Sequence, residues 1–224
     1  MTRGGDLGQA FPAYVTVIAG LLFLALVYFA VGQAAVLRNG AQTAADAAAL
    51  GAAQDARDQL RKGWLDVIGD PAQWPRFVQG DGGAYAEQQA CQEAAAFASL
   101  NGANLLPGGC VPIDFGFTVT VRTEGTVGES IVPGTDERRA TATATAVIEP
   151  LCEFYPPEPS PEPSDEPPPE PDSSSTPSEE PEEGDTAPIS GLTCDGEAWD
   201  VDPEAPVLPG ADDLFRVRLT GDAE

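Results

Sequence analysis

The sequence predicts an α+β fold, in which a long N-terminal transmembrane helix continues into a small extracytoplasmic domain with a second helix and a three-stranded antiparallel sheet. Three observations predict it. The chain carries no charge between Asp6 and Arg38, alanines then recur at helical spacing, and later segments alternate apolar and polar residues as half-buried strands do. A disordered Pro/Glu-rich insertion is expected to interrupt the domain.

The uncharged stretch predicts one membrane span over residues 13–36. A helix needs ~20 apolar residues to cross ~30 Å of hydrocarbon, and the stretch supplies them. No second run of this length follows, so we expect a single-pass protein in the cell membrane with residues 1–12 as a cytoplasmic tail. The acidic bulk and four cysteines are typical of an exported domain, which places the C-terminal part outside the cytoplasm. A cleaved signal peptide ending near Ala30-Val31-Gly32 is the alternative.

The membrane helix is expected to continue from Gln33 to Lys62. Alanines recur here at three- and four-residue steps, and a face of such small side chains lets another backbone approach closely. The helix-packing motif consists of Ala41, Ala45, Ala48, Ala52 and Ala56. We interpret it as a packing face in preference to a ligand site.

A small extracytoplasmic α+β domain is expected over residues 37–152. Glycines and prolines mark residues 63–82 as a loop, and a second helix is predicted from about Ala84 to Leu100, where Asn101-Gly102 ends it. The aromatic anchors expected in the loop are Trp64, Trp74 and Phe77.

Alternating residues then predict two strands joined by an extended hairpin loop over residues 124–137. The expected inward positions are Phe115, Phe117, Val119 and Val121 on the first strand, and Ala142, Ala144, Ala146 and Ile148 on the second. Small side chains on the second strand suit a close approach to the alanines of the first helix.

Residues 153–187 are predicted to be a disordered acidic Pro-rich linker, since Pro, Glu, Ser and Asp cannot bury enough apolar surface to offset the entropy of ordering. A spacer or a bait for a basic partner is one interpretation, and a solvated insertion without a specific role is the other. Residues 188–224 are expected to complete the domain, with Phe215, Val217 and Leu219 on a final strand.

Four cysteines in an exported chain predict two disulfides, although four cysteines allow three pairings. We select Cys91 with Cys110, and Cys152 with Cys194. The second pair is favoured because it brackets the Pro-rich linker and closes a long loop. Four free, buried thiols are the alternative.

The composition leaves little for catalysis, because the chain has no histidine and Lys62 is its only lysine. We therefore expect no enzyme and no cofactor, and the net charge of -25 argues against nucleic acid as a partner. An acidic stretch beside Cys194 offers oxygen ligands of the kind calcium prefers, but it lacks the spacing of an EF-hand loop. Its members are Asp195, Glu197, Asp200, Asp202 and Glu204. We interpret it as a solvated acidic loop and expect no metal site.

The segment that starts Gln42-Thr-Ala-Ala-Asp-Ala-Ala-Ala-Leu-Gly, placed directly after the span, resembles the TadE/TadG-like proteins of the tight-adherence (Flp) pilus assembly system. The resemblance covers residues 3 to about 56. It implies a structural or assembly component, minor-pilin or pseudopilin-like, that acts by helix packing. The implied partners are membrane lipid, other pilus or secretion assembly proteins, and further copies or related chains bound through the N-terminal helix as a homo- or hetero-oligomer.

The same resemblance implies a processing site between Gly8 and Gln9, ahead of the apolar helix. After such a cut Tyr14 would match the tyrosine of the pilin pattern, whereas Ala13 stands where that pattern has a glutamate.

The alternative function is a membrane-tethered extracellular binding module for a wall component or a cation, unrelated to pili.

Overall fold

A computed structural model gives the structure of part of the chain. It describes residues 10–79, 85–126, 137–156, 188–203 and 208–221. Gly8, Gln9 and Glu204 lie outside the described residues, as do most of the predicted hairpin loop and of the Pro-rich linker.

Helix α1 runs from Ala10 to Asp66 without a break over 57 residues. Alanine and leucine favour this helix, and Pro12 lies in the first turn, where a missing backbone donor costs little. The predicted continuation of the membrane helix is confirmed. The prediction of a loop from residue 63 is wrong for its first part, because the buried side chains of Leu60 and Trp64 extend the inward face by another turn.

The rest of that predicted loop contains a 3₁₀ turn, Pro71–Gln73, and the short helix α2, Trp74–Val78. Trp74 and Trp64 pack edge to face with their ring centroids 5.5 Å apart. Trp74 also donates a hydrogen bond from Nε1 to the carbonyl of Ile68 at 3.2 Å. Aromatic packing therefore fixes a segment whose glycines and prolines predicted irregular structure.

Helix α3 spans Glu87–Leu100, three residues shorter at its start than predicted. Its inward face is made of alanines spaced four residues apart, Ala90, Ala94 and Ala98. Gly102 follows at φ +67°, the left-handed conformation that ends a helix and that glycine adopts at no steric cost.

Sheet A contains four strands in the order β1-β2-β3-β7, and β2 pairs antiparallel with both β1 and β3. The strands are β1 (Ala103–Ile113), β2 (Gly116–Thr123), β3 (Thr141–Pro150) and β7 (Phe215–Thr220). Strands β2, β3 and β7 are the three that the sequence predicts. The expected three-stranded sheet is thus extended by β1, whose pairing with β2 shifts register between Leu105 and Cys110.

One face of sheet A carries buried apolar side chains, and the other face carries threonine hydroxyls. Phe117 lies opposite Ala146, and Val119 lies opposite Ala144, all of them buried. On the other face the hydroxyls of Thr118 and Thr145 are 3.0 Å apart, and a second threonine pair one step along repeats the contact. The inward placement of Phe115 is wrong, since this residue lies in the turn before β2 at φ 54°.

Gly116 is a close-contact position at the start of β2. A Cβ placed there would come within 2.2 Å of the carbonyl oxygen of Ala146 on the neighbouring strand. We expect Gly116→Ala to lower the free energy of unfolding by about 2 kcal/mol, because backbone atoms must shift to make room. Urea denaturation of the detergent-solubilised chain measures this. The control is Gly125→Ala, where a Cβ meets nothing within 4 Å; equal losses in both variants would contradict the steric explanation.

Sheet B has three short strands in the order β4-β5-β6, namely β4 (Cys152–Phe154), β5 (Ile189–Cys194) and β6 (Glu197–Val201). Both neighbouring pairs are antiparallel, and Cys152 lies directly opposite Cys194. The four-residue helix α4, Ala211–Leu214, leads into β7. The sequence does not predict sheet B, because its strands are only three to six residues long.

The chain divides into two compact units. The first contains Met1–Ala53, Gln88–Val147 and Leu219–Glu224, and the second contains Gln54–Glu87 and Ile148–Arg218. The second unit has its own aromatic core, where Trp74 packs between Trp64 and Phe154. In the same unit, Nε of Arg61 donates to the carbonyl of Pro209 at 2.8 Å and so joins α1 to the segment before α4.

Candidate functional site

The N-terminal part of α1, residues 11–36, forms an exposed apolar stretch. Every side chain from residue 11 to residue 29 is exposed, and Phe23 and Leu24 keep 65% and 62% of their surface accessible. Within the described ranges, α1 is the one helix long and apolar enough to cross a membrane. So large an apolar surface is unfavourable in water and is typical of a helix that contacts lipid or other apolar helices.

The polar side chain of Thr16 in this stretch is satisfied within the helix. The hydroxyl of Thr16 donates to the carbonyl of Pro12 at 2.8 Å, one turn back along α1. Such a bond satisfies a polar group without a partner from outside, as a hydrocarbon environment requires. Gly20 and Gly32 lie in open space, with nothing within 4 Å of a Cβ added at either. Another helix can therefore approach the backbone closely at these two positions.

The helix-packing motif lies deeper in the fold. Its members, Ala41, Ala45, Ala48, Ala52 and Ala56, are all 0% exposed. Ala44, Ala49 and Ala53 are equally buried, so the face of small side chains is wider than the motif read from the sequence. Because this chain itself covers the motif, these five alanines are not available for contact with another protein.

Gly51 shows how close the packing on this part of α1 is. A Cβ at Gly51 would come within 2.4 Å of Cδ2 of Phe97, which belongs to α3. The ring of Phe97 therefore lies directly on the α1 backbone, as small-residue positions allow.

Two disulfides stabilise the domain, and none of the four cysteines is free. Cys91 of α3 is joined to Cys110 of β1, and Cys152 of β4 is joined to Cys194 of β5. These are the pairs selected from the sequence. The second bond holds both ends of the Pro-rich linker together at the edge of sheet B, next to the 2.9 Å backbone hydrogen bond from Tyr155 to Gly191.

The described members of the acidic stretch beside Cys194, which are Asp195, Glu197, Asp200 and Asp202, do not come together as metal ligands. Asp195 has φ 51° and forms an exposed ion pair with Arg216 at 3.5 Å. Nowhere in the described ranges do three or more His, Cys, Asp or Glu side chains come together as metal ligands. At the other end of sheet B, Tyr155 Oη donates to Glu153 at 2.9 Å, and this hydrogen bond, together with the charge of Glu153, raises the pKa of Tyr155.

Comparison with known proteins addresses the N-terminal helix. No curated protein and no solved structure matches the chain. Residues 8–55 match a family model described as Flp pilus-assembly TadE/G-like. The matched segment contains the exposed apolar stretch and four of the five alanines in the packing motif, in agreement with the resemblance read from the sequence. Residues 8–55 of this chain are thus similar to the TadE/G-like proteins of Flp pilus assembly.

Proposed function

We propose that the protein is a non-enzymatic structural or assembly component of a Tad-type (Flp) pilus or a related secretion apparatus, similar to a minor pilin or pseudopilin. The TadE/G-like match over residues 8–55 carries this proposal. The exposed apolar stretch of α1 supports it, since a helix of this kind can contact the helices of other assembly proteins within the membrane.

The proposed topology places residues 1–12 in the cytoplasm, residues 13–36 in the membrane, and the domain beginning at residue 37 outside. The two disulfides support an exported domain, because such bonds persist in oxidising compartments. In this arrangement the linker predicted over residues 153–187, of which Glu153 and Phe154 belong to β4 in the structure, lies on the outer side, and residues 188–224 complete the domain. The net charge of -25 keeps the outer part from binding nucleic acid.

Lateral packing is the proposed mechanism. The alanine motif is fully buried within this chain, which leaves the exposed stretch as the surface for other apolar helices. Gly20 and Gly32 offer close backbone approach there, and packing of this type drives association in lipid, where burial of apolar surface does not.

The proposal is tested by replacing residues 13–36 with an unrelated Leu/Ala span of the same length. We expect the variant to stay in the membrane fraction, because ~20 apolar residues are enough for anchoring. We also expect pilus or secretion assembly to fail in cells that carry it as their only copy, because specific helix contacts are lost. Electron microscopy of surface filaments and secretion assays give the readout.

The wild-type span reintroduced on the same plasmid is the control for expression. Normal assembly with the unrelated span would contradict helix packing as the mechanism. Recovery of the wild-type chain in the soluble fraction without detergent would contradict membrane anchoring itself.

A further inference from the structure

We propose that the first unit binds the headgroup of a zwitterionic aminophospholipid, with phosphoethanolamine as the recognised group. The site is a cavity of about 430 Å³, within the ~300–1,000 Å³ range of small-molecule sites. On α1 it is lined by Arg38, Asn39, Gln42 and Asp46, and opposite them by Ala144 of β3 and Thr220 of β7. The inference rests on the membrane anchoring given under the proposed function.

The cavity is placed at the depth where headgroups lie. Arg38 comes two residues after the proposed end of the span, which at 1.5 Å per residue is about 3 Å beyond the hydrocarbon. The headgroup layer is about 5–8 Å thick on each side of the bilayer. The guanidinium of Arg38 therefore reaches phosphates of the outer leaflet.

Arg38 has the chemistry for the phosphate. In the part of the chain that the structure describes, Arg38 makes no ion pair, and its side chain is exposed. A guanidinium binds a phosphate through two parallel N–H donors, and the neighbouring amide of Asn39 adds another donor. The membrane end of the cavity is thus a phosphate site.

Asp46 has the chemistry for the ammonium. Nε2 of Gln42 donates to Oδ1 of Asp46 at 2.8 Å, which holds the carboxylate at the cavity and leaves its other oxygen as an acceptor for an ammonium. The positive and negative groups lie along one side of α1, with the positive one nearer the lipid. Phosphoethanolamine carries its charges in the matching order, a phosphate next to the lipid and an ammonium at the tip.

The overall charge of the protein selects among headgroups. At a net charge of -25 the protein repels anionic lipid, whereas a zwitterion has no net charge to be repelled. A choline headgroup has no N–H to donate to Asp46. An ethanolamine headgroup therefore satisfies both ends of the cavity.

Native mass spectrometry of the full-length chain, released from detergent with added phosphatidylethanolamine, phosphatidylcholine or phosphatidylglycerol, tests the inference. We expect phosphatidylethanolamine to be retained about tenfold more than phosphatidylcholine, the difference made by one charge-assisted hydrogen bond. Arg38→Gln should lower the retention of both lipids. Asp46→Asn should remove the preference for ethanolamine over choline.

The control variants remove the same charges from exposed positions on the same helix, Lys62→Gln for Arg38→Gln and Asp58→Asn for Asp46→Asn. Equal retention of the ethanolamine and choline lipids by the wild type, or equal effects of site and control variants, would overturn the inference. So would retention of phosphatidylglycerol above phosphatidylethanolamine. Each of these results leaves the proposed assembly function intact. That proposal depends on membrane anchoring and helix packing, and not on which lipid headgroup the chain binds.

Discussion

Replacing Cys152 and Cys194 together with alanine is expected to lower the free energy of unfolding of the second unit by about 4 kcal/mol. The bond joins residues 42 apart in sequence, so its loss frees a long loop in the unfolded chain. It also removes the covalent link between β4 and β5, which pair over only three residues. Alanine is chosen because serine would leave hydroxyls in sites that are 2% and 5% exposed.

Urea denaturation of the detergent-solubilised chain, followed by tryptophan fluorescence, measures this loss, since Trp64 and Trp74 are buried in the same unit as the bond. The matched control is the pair Cys91→Ala and Cys110→Ala, which opens a loop of sequence separation 19. Its expected loss is about 3 kcal/mol, because a shorter loop restrains the unfolded chain less. A loss below about 1 kcal/mol in the first variant would show that loop closure by Cys152 and Cys194 contributes little to stability.

The double variant Ala48→Leu/Ala52→Leu is expected to destabilise the first unit by about 4 kcal/mol, because each leucine must enter a fully packed site. Both alanines are 0% exposed and lie one turn apart on α1. Thermal unfolding monitored by circular dichroism should show a lowered midpoint for the first unit. Anchoring should persist, since the exposed apolar stretch is unchanged.

The control for this variant is Ala95→Leu/Ala96→Leu on the exposed face of α3. It adds the same atoms where nothing must move, so the expected change is within about 0.5 kcal/mol. If the control variant unfolded at a midpoint as low as that of the Ala48 and Ala52 variant, the loss of stability would be due to added apolar surface and not to crowding in the core. Wild-type stability of the Ala48 and Ala52 variant would show that the alanine face can expand.

Strong periodic patterns in this chain predicted structure correctly. The helical continuation through the alanines and the strands β2, β3 and β7 follow from spacings of 3.6 and 2 residues. The inward side of β3 could be read directly, because alanine and threonine alternate strictly and Ala144 and Ala146 are buried.

Elements that depend on distant contacts could not be predicted in this way. Strand β1 contains Pro107 and Gly108, which by themselves indicate a turn, and it forms because the ladder with β2 resumes at Cys110 after a shift in register. Sheet B depends on pairing between residues on either side of the Pro-rich linker, a contact that local periodicity does not encode. The extension of α1 to Asp66 depends on the partners of Leu60 and Trp64 in the core.

The burial of the alanine motif was predicted only in part, since the sequence indicated a close approach of β3 to these alanines but not that the chain covers all five of them. Small side chains suit both a contact within one chain and a contact between chains, and spacing does not distinguish the two. The structure shows that this chain covers its own motif, because all five motif alanines are 0% exposed.

The unbroken course of α1 has a mechanical consequence. An α-helix rises 1.5 Å and turns about 100° per residue, and no loop interrupts it between the apolar stretch and the alanines that are packed in the first unit. In the proposed topology, any lift or rotation of the membrane anchor by one such step must therefore displace those alanines by the same height and angle. The helix offers no loop between the two segments that could absorb such a movement.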